Sequence, residues 1–307
     1  MSEHSMLAVR YHEFGSTDVL KLERVPRPAP QEDEVLVRVV SAGVLPVDWK
    51  IRKGLFPMSV RFPNIPGTAF AGIVEQVGPG AGVFRQGQEV FGRSVKGTYA
   101  EYTAVPADAI ALKPESIGFD EAATLSGGAT TAWRAIESAG VKAGDRVLVH
   151  GAAGGVGLFA VQFAKIKGAE VIGTSGPGNI DFLRSLGVDT AIDYTNVRFE
   201  EIVRDADFVL DTVGGETLER SWAILKRGGA LITITGQPPI ERGKELGIRV
   251  LPSSLASSQD LSDIASLVGE GRAKTIVQRV FPMSEAAQAH LLSESGHGRG
   301  RIVLRME

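Results

Sequence analysis

The sequence contains no cysteine among its 307 residues. This absence excludes disulfide bonds, thiolate catalysis, iron–sulfur clusters and cysteine-ligated zinc. Histidine is also scarce: the five residues stand at positions 4, 12, 150, 290 and 297. None of their spacings matches a zinc motif such as H-E-x-x-H. We therefore expect no metal site.

The sequence also lacks an excess of positive charge and any long apolar run. Its 33 basic and 36 acidic residues give a net charge of −3, whereas nucleic acid and anionic membranes attract strongly basic proteins. No apolar run approaches the roughly 18 residues of a membrane span. The N-terminal stretch carries charges in place of the apolar core of a signal peptide. We expect a cytoplasmic protein with neither nucleic-acid nor membrane partners.

Glycine is plentiful, and it is concentrated in one informative stretch, residues 147–157, VLVHGAAGGVG. A short apolar, β-branched run enters a turn almost free of side chains, and residues 158–165 then favour a helix. A helix N-terminus offers unpaired N–H groups, which a pyrophosphate can reach only past small residues. The stretch predicts a dinucleotide site. However, Ala152 replaces the first glycine of G-x-G-x-x-G, and a strand-to-helix turn without a ligand is the alternative.

The flanking segments predict two kinds of structure. Residues 6–117 are strand-like and rich in turns, which indicates a mostly antiparallel β domain; its predicted strands are 8–11, 20–25, 34–42, 70–77 and 97–106. Residues 44–54 interrupt them as a loop or short helix. Residues 119–139 predict a helix, a break at Gly127 and Gly128, and a second helix.

From the glycine-rich stretch onward, strands and helices alternate. Predicted strands at 169–174, 190–194, 207–213 and 230–235 are separated by predicted helices at 180–186, 199–203 and 216–225. This alternation indicates a parallel sheet covered on both faces. The C-terminal elements, helices at 261–269 and 284–294 and strands at 275–281 and 301–304, fit a return to the first domain. We predict an α/β protein with a β domain at 1–118 and 258–307 and a doubly wound Rossmann domain at 119–257.

The loop after the second predicted strand of the Rossmann domain bears on cofactor choice. An acid at that position would bind the ribose 2′-OH of NAD, but residues 174–179 read TSGPGN and no acid precedes Asp181. Ser175, Asn179 and backbone N–H groups could instead bond a 2′-phosphate. The loop favours NADP, although it contains no arginine and a plain Gly-Pro turn is the alternative. Residues 211–215 and 235–238 follow later strands and could line the nicotinamide half.

Several motifs together resemble a known family nearly end to end. They are VLPVDWKIRKG, PNIPGTAFAGIVEQVGPG, GTYAEY, LSGGATTAWRAI, VLVHGAAGGVGLFAVQFAK, LGVDTAIDYT, DFVLDTVGG and GHGRGRIVL. In type and order they resemble the zinc-independent medium-chain dehydrogenases/reductases of the quinone oxidoreductase (ζ-crystallin-like) branch. The resemblance implies a GroES-like catalytic domain formed by both chain ends, a Rossmann domain between them, NADPH in the cleft, and a homodimer.

The resemblance also implies roles for individual residues. The nicotinamide end would be contacted by Pro46, Val47 and Thr131, and the pyrophosphate by Gly154, Gly155 and Val156. The adenosine phosphate would be surrounded by Thr174, Ser175, Asn179 and Tyr194. The cofactor groove would be lined by Val213 and Gly236 and closed by His297, Gly298 and Arg299.

Two departures from the family pattern matter for chemistry. Leu45 stands where many relatives have Asn before Pro-Val-Asp, which removes a polar contact to nicotinamide or substrate. Thr68 and Ala69 stand where zinc-dependent relatives carry a His-Glu or similar pair. With no cysteine either, we expect no catalytic zinc.

Without a Lewis acid, reduction of a simple ketone lacks a group to stabilise the alkoxide, whereas a conjugated acceptor spreads the charge as an enolate or phenolate. We predict an NADPH-dependent reductase of quinones or α,β-unsaturated carbonyls. Lys50 and Thr131 are candidates to bond the acceptor carbonyl, although a solvated Lys50 is at least as consistent with the sequence. Leu45, Trp49 and Phe56 are assigned to the substrate pocket, with packing as the alternative for the two aromatic residues.

Two other functions remain open. An enoyl-thioester reductase belongs to the same class, but no motif marks a carrier-protein or coenzyme A site. An NADPH-binding sensor or structural protein of weak activity is the other, and Leu45 favours it. A single-strand nucleic-acid binder is disfavoured by the net charge.

Overall fold

The computed structural model describes residues 5–237, 240–296 and 298–306. The chain divides into two compact units. Unit 1 comprises Met1–Gly127, Ser257–Gly271 and Thr275–Glu307, and unit 2 comprises Gly128–Ala256 and Arg272–Lys274.

The strands of the described residues are numbered in chain order. They are β1 (Ser5–Arg10), β2 (Lys21–Pro26), β3 (Glu34–Val44), β4 (Ala69–Val77), β5 (Glu89–Arg93), β6 (Tyr102–Pro106), β7 (Ile110–Leu112), β8 (Arg146–Val149), β9 (Glu170–Ser175), β10 (Thr190–Asp193), β11 (Ala206–Asp211), β12 (Leu225–Thr233), β13 (Arg249–Val250), β14 (Val277–Pro282) and β15 (Arg301–Arg305). The α-helices are α1 (Pro46–Arg52), α2 (Phe119–Ala122), α3 (Thr130–Ala139), α4 (Gly157–Ile166), α5 (Ile180–Ser185), α6 (Phe199–Ile202), α7 (Gly215–Ser221), α8 (Ile240–Leu246), α9 (Ser258–Gly269) and α10 (Ala286–Glu294).

Unit 1 is built on antiparallel pairing. Strands β1 and β2 form a two-stranded ribbon, and a larger sheet has the order β14-β15-β3-β4-β5-β7, with β6 also paired to β3. Within the larger sheet only β14 and β15 run parallel. The predicted mostly antiparallel domain is confirmed. The C-terminal strand β15 pairs antiparallel with β3 in this sheet.

Unit 2 is a doubly wound parallel sheet. Its order is β10-β9-β8-β11-β12-β13, and each neighbouring pair runs parallel. Strand β8 lies at the centre, where Val147, Leu148 and Val149 are fully buried, as expected of a strand covered on both faces. This is the strand order of a dinucleotide-binding Rossmann sheet, so the predicted fold class is confirmed.

The structure differs from the sequence analysis in several short elements. The predicted strand 97–106 shortens to β6, because its first residues form a loop in which Gly97 has φ +92°. Strands β5 and β7 were not predicted, and neither were α8 and β13. Residues 44–54 take the helical alternative, as α1. Residues 119–127 group with unit 1 and not with the Rossmann sheet, because α2 packs on β3 and β4.

Candidate functional site

The glycine turn (residues 151–157) of unit 2 closes tightly upon itself. Gly151 has φ +65°, and a Cβ there would lie 2.4 Å from Thr212 Oγ1. A Cβ on Gly157 would lie 2.3 Å from the Gly151 carbonyl oxygen. By contrast, Gly154 is partly exposed, and a Cβ there would have one near neighbour, the same oxygen at 3.3 Å. The turn leads directly into α4, where Leu158 N–H donates to Gly154 O at 3.0 Å and Phe159 N–H donates to Val156 O at 3.2 Å. An anion on the outer side of the turn would therefore meet the N–H groups that precede Leu158.

The remaining candidate residues of unit 2 lie at one edge of the sheet. Ser175 ends β9, Tyr194 follows β10, Val213 follows β11 and Gly236 follows β12. Because all these strands are parallel, their carboxyl ends share the edge at which β8 enters the glycine turn. Tyr194 and Val213 are 57% and 54% exposed there. Ligands of open α/β sheets bind outside this edge.

Thr174 points its hydroxyl into the interior of unit 2, towards His150. His150 is fully buried, with Nδ1 3.1 Å from Thr174 Oγ1 and Nε2 3.0 Å from Ser221 Oγ. Ser221 donates its own proton to Thr217 O at 2.7 Å, so Nε2 must carry the histidine proton and Thr174 must donate to Nδ1. Burial lowers the pKa of His150 to about 4, so the ring is neutral and structural.

The loop around Ser175 therefore has few hydroxyls directed outward. Ser175 is itself buried and donates to Gly176 O at 3.2 Å. Asn179 is partly exposed, and the Tyr194 hydroxyl lies 3.6 Å from where a Cβ on Gly176 would stand. Of the four residues assigned to the adenosine phosphate, Asn179 and Tyr194 have the most accessible side chains.

Asp211 holds the loop that carries Val213. Its buried carboxylate accepts the backbone N–H groups of Val213 at 3.0 Å and Gly214 at 2.9 Å. It also accepts the Thr233 hydroxyl at 2.7 Å, which joins the ends of β11 and β12. The sequence predicts the place of this loop but not that Asp211 holds it.

In unit 1, the Leu45 turn (residues 45–47) leads from β3 into α1. Pro46 is exposed, and Val47, Trp49 and Lys50 are partly exposed. The Lys50 ammonium lies 5.7 Å from the centre of the Trp49 ring. Phe56, just beyond the helix, is 42% exposed.

The C-terminal candidate loop lies at the same end of the unit 1 sheet as the Leu45 turn. Strand β15 runs antiparallel to β3 and pairs Ile302 with Val44, so the chain before β15 adjoins the end of β3. Gly298 and Arg299, in that chain segment, are exposed. Gly298 has φ +147°, and a Cβ there would overlap the Gln278 side chain. The other residue assigned to this loop, His297, lies outside the described residues.

Leu45 is buried, at 6% exposure, against a second turn. That Gly127 turn (Leu125–Ala129) separates α2 from α3, and Gly127 has φ +72°. A Cβ on Gly127 would lie 2.6 Å from Leu45 Cδ1. The two turns are therefore in contact. Thr131, the other candidate in this part of the chain, is the second residue of α3 in unit 2 and is partly exposed.

Sequence reasoning missed a buried polar cluster behind the Leu45 turn. Asp48 Oδ2 accepts the Leu45 N–H at 2.8 Å and the Tyr99 hydroxyl at 3.1 Å, and His290 Nε2 lies 3.2 Å from that hydroxyl. Burial raises the pKa of Asp48 to about 7, against the hydrogen bonds from Leu45 and Tyr99 and the charge of Arg301. Burial, with the nearby charge of Arg52, lowers the pKa of His290 to about 3. The available signal was an acid at the third position of a short helix, where it can cap the N-terminus.

Metal donors are not clustered in the described part of the chain. Within residues 5–237, 240–296 and 298–306, no group of three or more His, Cys, Asp or Glu side chains is placed to hold a metal ion. Over the same residues, no helix has the length and apolar character needed to span a bilayer.

Two family models match the sequence. One, described as alcohol dehydrogenase GroES-like domain, matches residues 31–115. The other, described as zinc-binding dehydrogenase, matches residues 186–304. A GroES-like unit and a Rossmann sheet in one chain define the medium-chain dehydrogenases/reductases.

Comparison with individual relatives and solved structures shows which family within this class the chain resembles. The chain is 36% identical to 2-methylene-furan-3-one reductase of Solanum lycopersicum over 316 residues, which cover 97% of this chain and 79% of the relative. It is 33% identical to quinone oxidoreductase of Mus musculus over 323 residues, covering 97% of each. The solved quinone oxidoreductase of Coxiella burnetii matches with a TM-score of 0.93 at 33% identity, covering 99% of this chain and 100% of that one.

A further solved structure, Escherichia coli quinone oxidoreductase complexed with NADPH, matches with a TM-score of 0.88 at 28% identity and covers 98% of this chain and 99% of that one. The chain belongs to the quinone oxidoreductase family of medium-chain dehydrogenases/reductases and is an oxidoreductase with an NAD(P)-binding fold. The resemblance described from sequence motifs is thereby confirmed.

Proposed function

We propose that this protein is an NADPH-dependent reductase of quinones and α,β-unsaturated carbonyls that transfers hydride directly, without zinc. The observation that carries the proposal is the glycine turn at the carboxyl edge of a sheet in the Rossmann order. Relatives named quinone oxidoreductase and NADPH-dependent alkenal/one oxidoreductase support the acceptor class and the cofactor.

The glycine turn fits a pyrophosphate. Gly154 and Gly155 leave its outer side free of side chains, and Val156 leads into α4, whose N-terminus favours an anion. Asn179 and Tyr194 are assigned to the 2′-phosphate together with the backbone around Ser175. The acid-free loop supports NADPH over NADH, because an acid there would repel that phosphate. Val213 and Gly236 would line the groove farther along the same edge.

The family resemblance assigns Pro46, Val47 and Thr131 to the nicotinamide, and Gly298 and Arg299 to the closing of the cofactor groove. When bound, NADPH supplies the hydride. The chain's part is to orient the acceptor, and Lys50 and Thr131 are the candidate donors to its carbonyl oxygen. Trp49 and Phe56 present partly exposed rings for an aromatic or conjugated acceptor.

The donor set does not fit a catalytic zinc ion, despite the name of one matching family model. The sequence has no cysteine, and the described residues contain no cluster of three or more candidate ligands. Quinones and enones suit such a site, because conjugation spreads the charge that follows hydride addition and no metal is needed to stabilise an alkoxide.

The test is to follow NADPH absorbance with 1,4-benzoquinone, 9,10-phenanthrenequinone and simple enones, in parallel with NADH and with saturated ketones. We expect turnover of the conjugated acceptors and a preference for NADPH. Tight NADPH binding with no turnover of any acceptor would contradict this function and favour an NADPH-binding sensor. In that case Leu45, which stands where many relatives have Asn, would account for the missing activity. Turnover of saturated ketones that requires added zinc would contradict the metal-free site.

A further inference from the structure

Two charged side chains of unit 1 are enclosed behind the residues assigned to the nicotinamide. Asp48, on α1, is 2% exposed, and Arg301, at the start of β15, is 6% exposed. Among the described residues, Asp48 Oδ1 and Arg301 Nε have no hydrogen-bond partner. A buried, incompletely bonded pair of charges is often no more stabilising than apolar residues of the same volume. Stability alone is therefore a poor explanation for this pair.

Each member of the pair holds a different turn. Asp48 Oδ2 accepts the Leu45 N–H at 2.8 Å and so fixes the Leu45 turn. Arg301 Nη2 donates to the Gly127 carbonyl at 2.8 Å and so fixes the Gly127 turn. The two turns meet where Leu45 packs on Gly127. The charges of Asp48 and Arg301 also attract each other across the interior of unit 1, and this attraction draws together the two turns that they hold.

We propose that Asp48 is a positioning residue: through Arg301 it sets the Leu45 turn against the Gly127 turn and thereby sets the place of the nicotinamide ring relative to the acceptor. This inference rests on the proposed function, because it deepens the role of Pro46 and Val47, which directly follow Leu45. Displacing reacting groups by about 1 Å can cost on the order of a hundredfold in rate. A small shift of this turn is thus expected to reach the chemical step.

The charge state of Asp48 makes the proposal testable by pH. The groups facing Asp48 are Tyr99, from the segment before β6, Arg301 from β15 and Tyr11 next to β1. His290 of α10 and Arg52 of α1 act on Tyr99 in turn. Burial raises the pKa of Asp48 to about 7, and only the ionised carboxylate attracts Arg301. If this attraction positions the turn, kcat rises with pH through about 7 and falls on acidification.

The variants are Asp48→Asn, Arg301→Met and the double variant, with Asp120→Asn as the matched control. Asp120 accepts the Ser41 hydroxyl at 2.6 Å and pairs with Arg305 in the same unit. Ser41 precedes Leu45 by four residues along β3, so this carboxylate bonds to the strand and not to the Leu45 N–H. We expect Asp48→Asn to lower kcat by about tenfold or more, to change NADPH affinity less than threefold and to flatten the pH profile near 7. The double variant should be no worse than the poorer single variant. Asp120→Asn should keep both kcat and the wild-type profile.

Fluorescence of bound NADPH supplies a second readout, because its emission reports the surroundings of the nicotinamide even when no acceptor is reduced. We expect a changed emission spectrum in Asp48→Asn and an unchanged one in Asp120→Asn. The proposal is overturned if kcat and emission of Asp48→Asn match wild type. It is also overturned if kcat and NADPH affinity fall in equal proportion with the pH profile retained. Wild-type protein that reduces no acceptor contradicts the proposed function instead, and the emission comparison then decides the positioning role alone.

Discussion

The side chain of Leu45 fills the space above Gly127 that any other residue at position 127 would need. A Cβ at that position would lie 2.6 Å from Leu45 Cδ1, and Gly127 also has φ +72°, a conformation that favours glycine. The departure from the family pattern at position 45 is therefore tied to packing. Leu45 therefore packs between the two turns, in addition to removing the polar contact that an Asn would make.

Gly127→Ala is expected to be strongly destabilising, because it combines a left-handed backbone, costing about 1–2 kcal/mol, with a clash against Leu45. Leu45→Ala alone should cost on the order of 2–5 kcal/mol through the cavity that it leaves. The double variant relieves the clash but keeps the backbone strain. The free energy of unfolding is measured by chemical denaturation for wild type, both single variants and the double variant. The double variant should be more stable than the sum of the two single effects predicts. Strict additivity would show that the two turns do not press on each other.

Gly154→Ala should fold normally yet bind NADPH at least about tenfold more weakly, because the added methyl group lies where a pyrophosphate must approach the turn. Its one near neighbour, the Gly151 carbonyl at 3.3 Å, can be accommodated by a small shift. The control is Gly82→Ala in unit 1, where a Cβ meets nothing within 4 Å. Quenching of intrinsic fluorescence or calorimetry gives the affinities. Unchanged NADPH affinity in Gly154→Ala would show that the pyrophosphate does not bind at this turn.

Gly176→Asp is expected to shift the cofactor preference from NADPH towards NADH. Gly176 has extended backbone angles that any residue adopts, and a Cβ there stays 3.6 Å from the Tyr194 hydroxyl. The new carboxylate would repel a 2′-phosphate and accept a hydrogen bond from a 2′-hydroxyl. The measurement is the ratio of the two dissociation constants in wild type and variant. If the ratio does not move, the adenosine end of the cofactor lies elsewhere.

The lowered pKa of His150 predicts how the free energy of unfolding changes at acidic pH. Its pKa in the folded protein is about 4, below the ordinary value of 6.5, so its contribution is complete above about pH 6.5 and is lost as the pH falls through about 4. His150→Gln should lower the free energy of unfolding at neutral pH by about 1–3 kcal/mol, since buried hydrogen bonds are lost. It should also lose less stability on acidification than wild type does.

The matched control for that experiment is His12→Gln. His12 is 55% exposed and pairs with Glu23 at the surface, so the change should stay within about 0.5 kcal/mol. Urea unfolding at a series of pH values gives both slopes. Equal acid dependence in wild type and His150→Gln would show that His150 is not the buried neutral group described here.

The parallel sheet could be predicted from sequence because its signals are local. Apolar β-branched runs followed by glycine turns mark β8 and β9, and the helices between the strands have their own periodicity. Strand β7, three residues long, and strand β13, two residues long, carry no such pattern, since their pairing depends on partners distant in sequence. The same reason explains α2: its position is decided by packing on β3 and β4, which the local sequence does not encode.

In the candidate site, too, features with a local sequence signal could be predicted and features that depend on distant partners could not. The glycine turn and the acid-free loop are contiguous motifs and were found. The attraction between Asp48 and Arg301 joins residues more than 250 positions apart. The hydroxyl of Thr174 is directed inward by His150, which follows the neighbouring strand β8. These relationships arise only when the sheets form. Of them, only the capping position of Asp48 left a trace in the sequence.

Direct, zinc-free hydride transfer to the conjugated carbon of the acceptor is the central claim, and deuterium-labelled NADPH tests it most directly. An α,β-unsaturated ketone is reduced with NADPH carrying deuterium at C4 of the nicotinamide, separately on each face, after the protein has been dialysed against EDTA. We predict that deuterium from one face appears at the β-carbon of a saturated ketone, with the rate unchanged by the chelator. Deuterium at the carbinol carbon of an allylic alcohol, or activity lost to EDTA and restored by zinc, would contradict the account.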